Sequence, residues 1–351
     1  MNKKKILIVG QGLAGSCLAL EFISKEIDVL VVSEKNENSA SKIAAGLFNP
    51  IVLKKLNPGW KAFETLNAAK IFYSYWQELL QCNFFFTKPL AKIILNKDEK
   101  REWQKKIPLL NYFAKEEIIE NPNPNFWFDY EGYGIIKEAG YLNCNLFIER
   151  TKEYLLSKNS YLEEIFDESR LQILEGMLKY KNIIYDEIVF CQGYYSKQNS
   201  FFSEQFLKAV KGQILTIDIP NYKTDYLISK GMYIVPTEDN LYKVGATYEW
   251  DELDNNPNEK GKELLENELK QILKKNYRIV NQLAGVRPAS IDRKPVLGKS
   301  LIHNNIYIFN GLGTRGVILA PWLANHLCNN ILENTEIDLD CNISRFRKRK
   351  N

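Results

Sequence analysis

The sequence predicts a mixed α/β protein, and three stretches carry that expectation. The N-terminal "KKILIVGQGLAGSCLALEFISKEIDVLVVSEK" runs from a short apolar segment through a glycine loop and a helical pattern to a second apolar segment. "YDEIVFCQG" (185–193) reads as a further buried strand closing on a glycine. "TDYLISKGMYIVPTEDNLYKVGATYEW" (224–250) carries shorter strands punctuated by turn signals at "SKG" and "EDN".

Taken in order, the first stretch is a Rossmann-type strand–loop–helix–strand unit. A buried strand from Ile6 to Val9 leads into Gly10, Gly12 and Gly15, with Leu13 and Ala14 completing the loop. A helix with apolar positions at Leu13, Cys17 and Leu20 follows, then the strand "DVLVVS", which ends at Glu34. Gly10 permits a tight turn, Gly12 lets the backbone approach a pyrophosphate, and Gly15 lets helix and strand pack closely. The helix N-terminus adds unpaired N–H groups and a positive dipole. Glu34 stands nineteen residues after Gly15, where a carboxylate accepts ribose hydroxyls. That arrangement fits a dinucleotide with a free 2′-hydroxyl, hence NAD or FAD rather than NADP.

A second loop in the same spacing closes the chain. "FNGLGTRGVILAPWLANHL" (309–327) places Gly311, Gly313 and Gly316 between a strand end and a helix. No acidic strand end follows, because Glu336 lies in "LENTEIDLDCN", so a second adenosine site is not expected. Either the loop is a tight turn, or its helix N-terminus serves the far end of the same cofactor. A reduced flavin carries negative charge that such a terminus stabilises, and nicotinamide does not. Between the strands, "NPNEKGKELLENELKQILKKN" is a polar amphipathic helix.

Composition narrows the chemistry further. At 351 residues and 45% hydrophobic content the chain is long enough for two ordered domains. Six scattered cysteines without a C-x-x-C pair argue against a metal cage or disulfide framework and fit a cytoplasmic location. Only His303 and His326 are available, which excludes a histidine-rich zinc site, and no G-x-S-x-G elbow points to a serine hydrolase. His326 lies in "APWLANHLCNN", where a packed helical histidine is expected. No run of about 18 apolar residues announces a membrane span. The net charge of +4 is modest, although "RFRKRKN" concentrates Arg345, Arg347, Lys348, Arg349 and Lys350 at the C-terminus.

Six blocks in order extend these observations. The first loop with Glu34, "ASKIAAGLFNP" (40–50), "VKGQILTI" (210–217), "MYIVPTEDNLYKVGATYEW" (232–250), "AGVRPASIDRKPVLG" (284–298) and "NGLGTRGVILAPWLANHL" (310–327) resemble the FAD-dependent D-amino-acid oxidase superfamily. They look most like its glycine oxidase, sarcosine oxidase and tRNA-modifying methylaminomethyl-uridine oxidase branches. The resemblance implies an α/β (α+β) fold: a Rossmann-type FAD-binding domain over residues 1–81, 141–211 and 284–351, with a discontinuous, mainly antiparallel-sheet substrate domain over 82–140 and 212–283.

It also implies roles for particular residues. Ala45, Gly46, Gly193 and Thr314 would join the two glycine loops in holding FAD. Arg287 would pair with a substrate carboxylate, for which a planar guanidinium fork is well suited. Tyr233 would face the substrate, and Arg315 would lie near flavin and substrate. The residue types alone leave a structural role open for each: an arginine tying a strand down, a packed tyrosine, an arginine bonding loop carbonyls. Sarcosine-oxidase relatives attach flavin through a cysteine near the last loop, whereas the nearest here is Cys328 within the helix, so the FAD is expected to be noncovalent.

The function expected on these grounds is oxidation of a C–N bond in a small amine or amino acid by hydride transfer to flavin N5, with oxygen or another acceptor taking the electrons. The alternatives are an oxidase acting on a carboxymethylaminomethyl-uridine side chain of tRNA and a non-catalytic FAD-binding module. The block "GLGTRG" reads like the tRNA-modifying branch. The basic tail and "LKKLNPGWK" (53–61) lean toward RNA, because phosphate binding relies on lysine and arginine.

Overall fold

A computed structural model describes residues 3–35, 39–202, 206–237 and 239–347. Lys348, Arg349 and Lys350 of the basic tail therefore lie outside the described residues, as does Glu238 of the "EDN" turn. The chain divides into two compact units, one of Met1–Lys42, Asn145–Val210 and Val286–Asn351, the other of Ile43–Cys144 and Lys211–Gly285.

The first unit is built on a six-stranded sheet. Tyr161–Glu163, Asp28–Ser33, Lys5–Val9, Glu187–Phe190 and Ile306–Asn310 lie side by side in that order and run parallel. Val296–Lys299 closes the edge antiparallel to Ile306–Asn310. Ile6, Leu7, Ile8, Ile188, Val189, Ile306 and Ile308 are all buried. Burial on both faces of a parallel sheet accounts for the unbroken apolar runs read in the sequence. Helices Leu13–Ser24 and Gly316–Glu333 pack against each other.

The second unit holds an eight-stranded sheet. Its order is Arg278–Arg287, Val210–Asp218, Tyr242–Gly245, Met232–Pro236, Leu227–Lys230, Leu90–Ile94, Gly132–Ile136 and Ala114–Ile119. From Val210–Asp218 to Ala114–Ile119 every pairing is antiparallel except Leu227–Lys230 with Leu90–Ile94. One face packs Ala91, Ile93, Tyr133, Leu215, Ile234 and Val244 together with Leu265 and Leu269 of helix Glu259–Lys270. Asn258 caps that helix, its side chain accepting the Gly261 N–H at 2.9 Å.

Residues 43–81, expected with the nucleotide-binding half, pack in the second unit. Leu47–Phe48 pairs with Gly140–Leu142, which in turn pairs with Phe85–Thr87. Phe85 stacks on Phe48 at 4.8 Å and on Tyr73 of helix Ala62–Leu79 at 5.0 Å. This aromatic stack, bringing together residues far apart in sequence, anchors the segment.

Candidate functional site

Three connections leave the C-terminal edge of the parallel sheet from neighbouring strands: Gly10 after Lys5–Val9, Cys191–Gly193 after Glu187–Phe190, and Gly311 after Ile306–Asn310. Hydrogen bonds tie them together. Gly10 N–H donates to Val32 O at 2.9 Å, and Cys191 N–H to Val9 O at 2.7 Å. The buried Asn310 amide donates to Gly193 O and to Ser196 Oγ, each at 2.8 Å, while its own oxygen accepts the Gly311 N–H. In open α/β sheets this edge is where ligands bind.

The first loop needs its glycines. Gly10 has φ +98°, and a Cβ there would stand 2.7 Å from the Cys191 carbonyl oxygen. A Cβ on Gly15 would lie 1.9 Å from the Gly10 carbonyl oxygen, so helix and strand approach as closely as backbones can. Gly12 stands at the N-cap of helix Leu13–Ser24 with no side-chain cap. Ser41 Oγ accepts the Leu13 N–H at 3.1 Å and would be the nearest neighbour of a Gly12 Cβ. Leu13, Ala14 and Gly15 are buried in the first turn. Glu34 follows the end of Asp28–Ser33 and is exposed, and Ser33 Oγ accepts the Gln11 N–H at 3.1 Å.

The last loop has related geometry. Gly311 and Gly313 have φ of +73° and +56°. The nearest atoms to a Gly313 Cβ are those of Ala289 at 3.8 Å, whereas a Gly316 Cβ would meet Leu13 Cδ2 at 3.1 Å. The two glycine loops thus open adjacent helices. Thr314 is exposed, and Arg315 is the N-cap of helix Gly316–Glu333, again without a side-chain cap. Arg287, partly exposed, ends its strand directly before a segment bonded to this loop. Pro288 O accepts the Gly313 N–H at 3.2 Å, and Ala289 bridges to Leu312.

The structure therefore brings Gly10, Gly12, Leu13, Ala14, Gly15, Gly193, Gly311, Gly313, Thr314, Arg315 and Gly316 to one edge of one unit, with Arg287 on the adjoining segment. Ala45, Gly46 and Tyr233 belong to the second unit. Gly46 has φ +73°, and a Cβ there would overlap the Leu142 carbonyl oxygen at 1.8 Å, so a close strand crossing requires it. Tyr233 lies between Met232 and Ile234, which both enter the core cluster, and is directed to the opposite face of the sheet.

Several supporting residues escape a sequence reading. Asn310, Ser33 and Ser41 act on the loops only because distant segments meet them. Lys243 donates to Ile43 O and Ala44 O at 3.4 and 3.0 Å, just before Ala45, and burial lowers its pKa. As for the histidines, His326 accepts the Asp338 N–H at 2.9 Å and stacks on Trp322, a packing role. The six cysteines are free thiols, and burial pushes Cys328 up to about 12. Among the described residues no helix is long and apolar enough to cross a membrane.

These features meet what FAD requires of a protein. A positive-φ glycine starts the turn, Gly12 leaves its side open but for the Ser41 side chain, and two adjacent helices begin without side-chain caps. Ser41 takes the Leu13 N–H, and the positive end of each helix, with no side-chain cap at the N-cap position, suits an anion. Sheet order and paired loops define a dinucleotide-binding α/β protein.

Comparison with known proteins gives the particular family. Residues 5–329 match DAO, the FAD dependent oxidoreductase family, and the chain belongs to it. Among curated relatives, a tRNA 5-methylaminomethyl-2-thiouridine biosynthesis bifunctional protein MnmC from Idiomarina loihiensis is 23% identical, over 99% of this chain and 59% of its own length. The protein of the same name from Campylobacter jejuni is 26% identical, over 93% of this chain and 55% of its own length. Glycine oxidase from Bacillus subtilis is 25% identical over 66% of this chain and 64% of its own. The chain thus spans little more than half the length of the bifunctional relatives. Among solved structures, glycine oxidase from Bacillus cereus superposes with a TM-score of 0.77 at 19% identity, covering 95% of this chain and 96% of that one. Iminodiacetate oxidase from Chelativorans gives 0.79 at 17% identity, covering 95% and 97%. Both share the fold.

Proposed function

We propose that the protein oxidises the C–N bond of an amine bearing a carboxymethyl group, the element common to glycine and to a carboxymethylaminomethyl side chain. The observation that carries this reading is the placement of Arg287, whose following residues, Pro288 and Ala289, are bonded to the last glycine loop. On this reading the Gly10–Gly15 loop and the first helix hold the FAD pyrophosphate, Glu34 accepts the ribose hydroxyls, and Gly193 borders the cofactor between the two loops. The Gly311–Gly316 loop and Arg315 would favour negative charge on the flavin ring, and Ala45 and Gly46 would be further cofactor-binding residues. Bound noncovalently, FAD supplies an acceptor for one hydride, two electrons in all.

The chain's own work is placement. Arg287 offers two parallel N–H donors to the substrate carboxylate and so fixes the carbon next to the nitrogen. Tyr233 limits where the amine sits. The nitrogen lone pair stabilises the imine that forms as hydride leaves the carbon, and water then splits the imine into a carbonyl product and the shortened amine. No histidine is needed as a base. Anaerobic titration with glycine and N-ethylglycine tests this: substrate-dependent bleaching of the flavin band is expected, and bleaching by dithionite alone would refute it.

A second reading places the carboxymethyl amine on tRNA. It is supported by relatives named for tRNA 5-methylaminomethyl-2-thiouridine biosynthesis, which match over 99% and 93% of this chain. Bleaching by tRNA carrying a carboxymethylaminomethyl group, and not by N-ethylglycine, would decide for it.

A further inference from the structure

The basic C-terminal tail is the first place to look for an RNA contact, and its first charge is already engaged. Arg345 donates to Asp292 through Nε at 2.7 Å and Nη2 at 3.1 Å, and to the carbonyls of Lys294 and Pro295. It fastens the chain end to the fold. The other lysine-rich motif, "LKKLNPGWK", has a different setting.

Strands Ile51–Val52 and Asn57–Pro58 form a small hairpin whose connection exposes Lys54 and Lys55. Neither lysine has a carboxylate partner among the described residues. The end of helix Lys97–Lys106 abuts the hairpin, Lys106 donating to Lys55 O at 3.1 Å, and Lys105 beside it is exposed. Glu102, the nearby acid on that helix, is held by Lys106 at 2.8 Å. From Lys106 the chain turns through Ile107–Leu110 to Tyr112, whose ring lies 5.0 Å from that of Phe63. Phe63 lies in the first turn of helix Ala62–Leu79, whose N-cap is Lys61, and Lys61 Nζ stands 5.7 Å from the Trp60 ring. The path closes on itself within one unit. Its surface joins four exposed or half-exposed lysines, Lys54, Lys55, Lys61 and Lys105, to two aromatic rings that are 49% and 50% exposed.

We propose that this surface, bounded by Lys54, Lys55, Lys61, Phe63, Lys105 and Tyr112, docks a single-stranded segment of RNA. The exposed ammonium groups of Lys54 and Lys55 suit phosphates, and the exposed rings of Phe63 and Tyr112 on the same surface suit unstacked bases. The proposal rests on the tRNA reading above and deepens it by naming where the nucleic acid is held. An anionic membrane shares the charge complementarity, so the test includes one.

The experiment uses the full-length, FAD-loaded protein and a transcribed bacterial tRNA, with binding followed by fluorescence anisotropy across a salt series. The Lys54→Gln/Lys55→Gln protein should bind about tenfold or more weakly, with the slope of log K against log salt reduced by about 1.5 to 2. Phe63→Ala/Tyr112→Ala should lose about tenfold with the slope unchanged. Flavin content and thermal unfolding should match wild type in both, which separates loss of docking from loss of fold. Equal tRNA affinity in wild type and both variants would overturn the proposal, as would wild type failing to bind tRNA at low salt. Retained tRNA binding with lost binding to phosphatidylserine vesicles would assign the surface to a membrane instead. The oxidase reading fails separately, through absence of bleaching by either substrate in wild type.

Discussion

Replacing Gly15 by alanine places one methyl group at the tightest point of the nucleotide fold. The added Cβ would stand 1.9 Å from the Gly10 carbonyl oxygen, 3.1 Å from its carbon and 3.4 Å from Cys191 Cβ. Ordinary van der Waals separation is roughly 3.5 Å, so helix and loop must part by about 1.5 Å. The obstacle is main chain, which cannot swing aside as a side-chain tip would. Overpacking of this kind costs about 1–3 kcal/mol, and the upper end applies here. The same displacement moves the first-turn N–H groups relative to the loop, so FAD affinity should fall by about two orders of magnitude if some 3 kcal/mol is lost from binding. Flavin-to-protein ratio after gel filtration and thermal unfolding of the apoprotein measure the two effects separately. Gly176→Ala is the control: unlike Gly15 it has positive φ, +72°, but nothing lies within 4 Å of its Cβ. It should lose about 1 kcal/mol of stability from backbone strain and keep its flavin. Full flavin content in Gly15→Ala with unchanged unfolding would refute the close-packing account.

Other outcomes follow from the same structure. Arg287→Ala should cost about 2–5 kcal/mol of substrate binding, read as a raised KM for N-ethylglycine, while flavin content stays normal; an unchanged KM would remove Arg287 from the substrate site. Burial alone would raise the Asp292 pKa, but the Arg345 guanidinium, the Lys294 N–H and the Ser290 hydroxyl hold it at about 2. Its folded value is below the unfolded one, so its stabilisation is present above pH of about 4 and is lost as pH falls toward about 2. The side chain is 36% exposed, and screening reduces the contribution to about 1 kcal/mol. Urea unfolding should show Asp292→Asn less stable by that amount at pH 7, with the gap narrowing below pH of about 4 and closing only as pH falls below about 2; a gap independent of pH would contradict the assignment. Of the six thiols, Cys82 alone is not buried, and burial pushes Cys144 up to about 12. Ellman's reagent should therefore titrate one thiol quickly in the native protein and six after denaturation, and rapid reaction of several native thiols would argue against this packing.

What the sequence made legible follows from locality. Ile6–Val9 is buried on both faces and carries its own signal, and the glycine spacing around Gly10–Gly15 and Gly311–Gly316 is set within single loops. The 82–140 segment is different. Helix Lys97–Lys106 is almost entirely charged and is held by Trp103, whose indole occupies the space a Cβ at Gly134 would fill, 2.4 Å away. That pairing joins residues some thirty positions apart, and no periodicity announces it. Likewise the allegiance of residues 43–81 depends on Phe85 meeting Phe48 and Tyr73. The site shows the same division: loop glycines could be named from spacing, whereas Asn310, Ser41 and the Pro288–Gly313 bond emerge only from chain segments that meet in the fold.

The central claim is that one FAD is held along the edge where both glycine loops open their helices. A crystal structure of the protein with FAD tests it most directly. The account predicts the pyrophosphate over Gly10–Gly15 and the ring edge against Gly311–Gly316 of the same unit; a ring lying away from the last loop, or a pyrophosphate elsewhere, would contradict it.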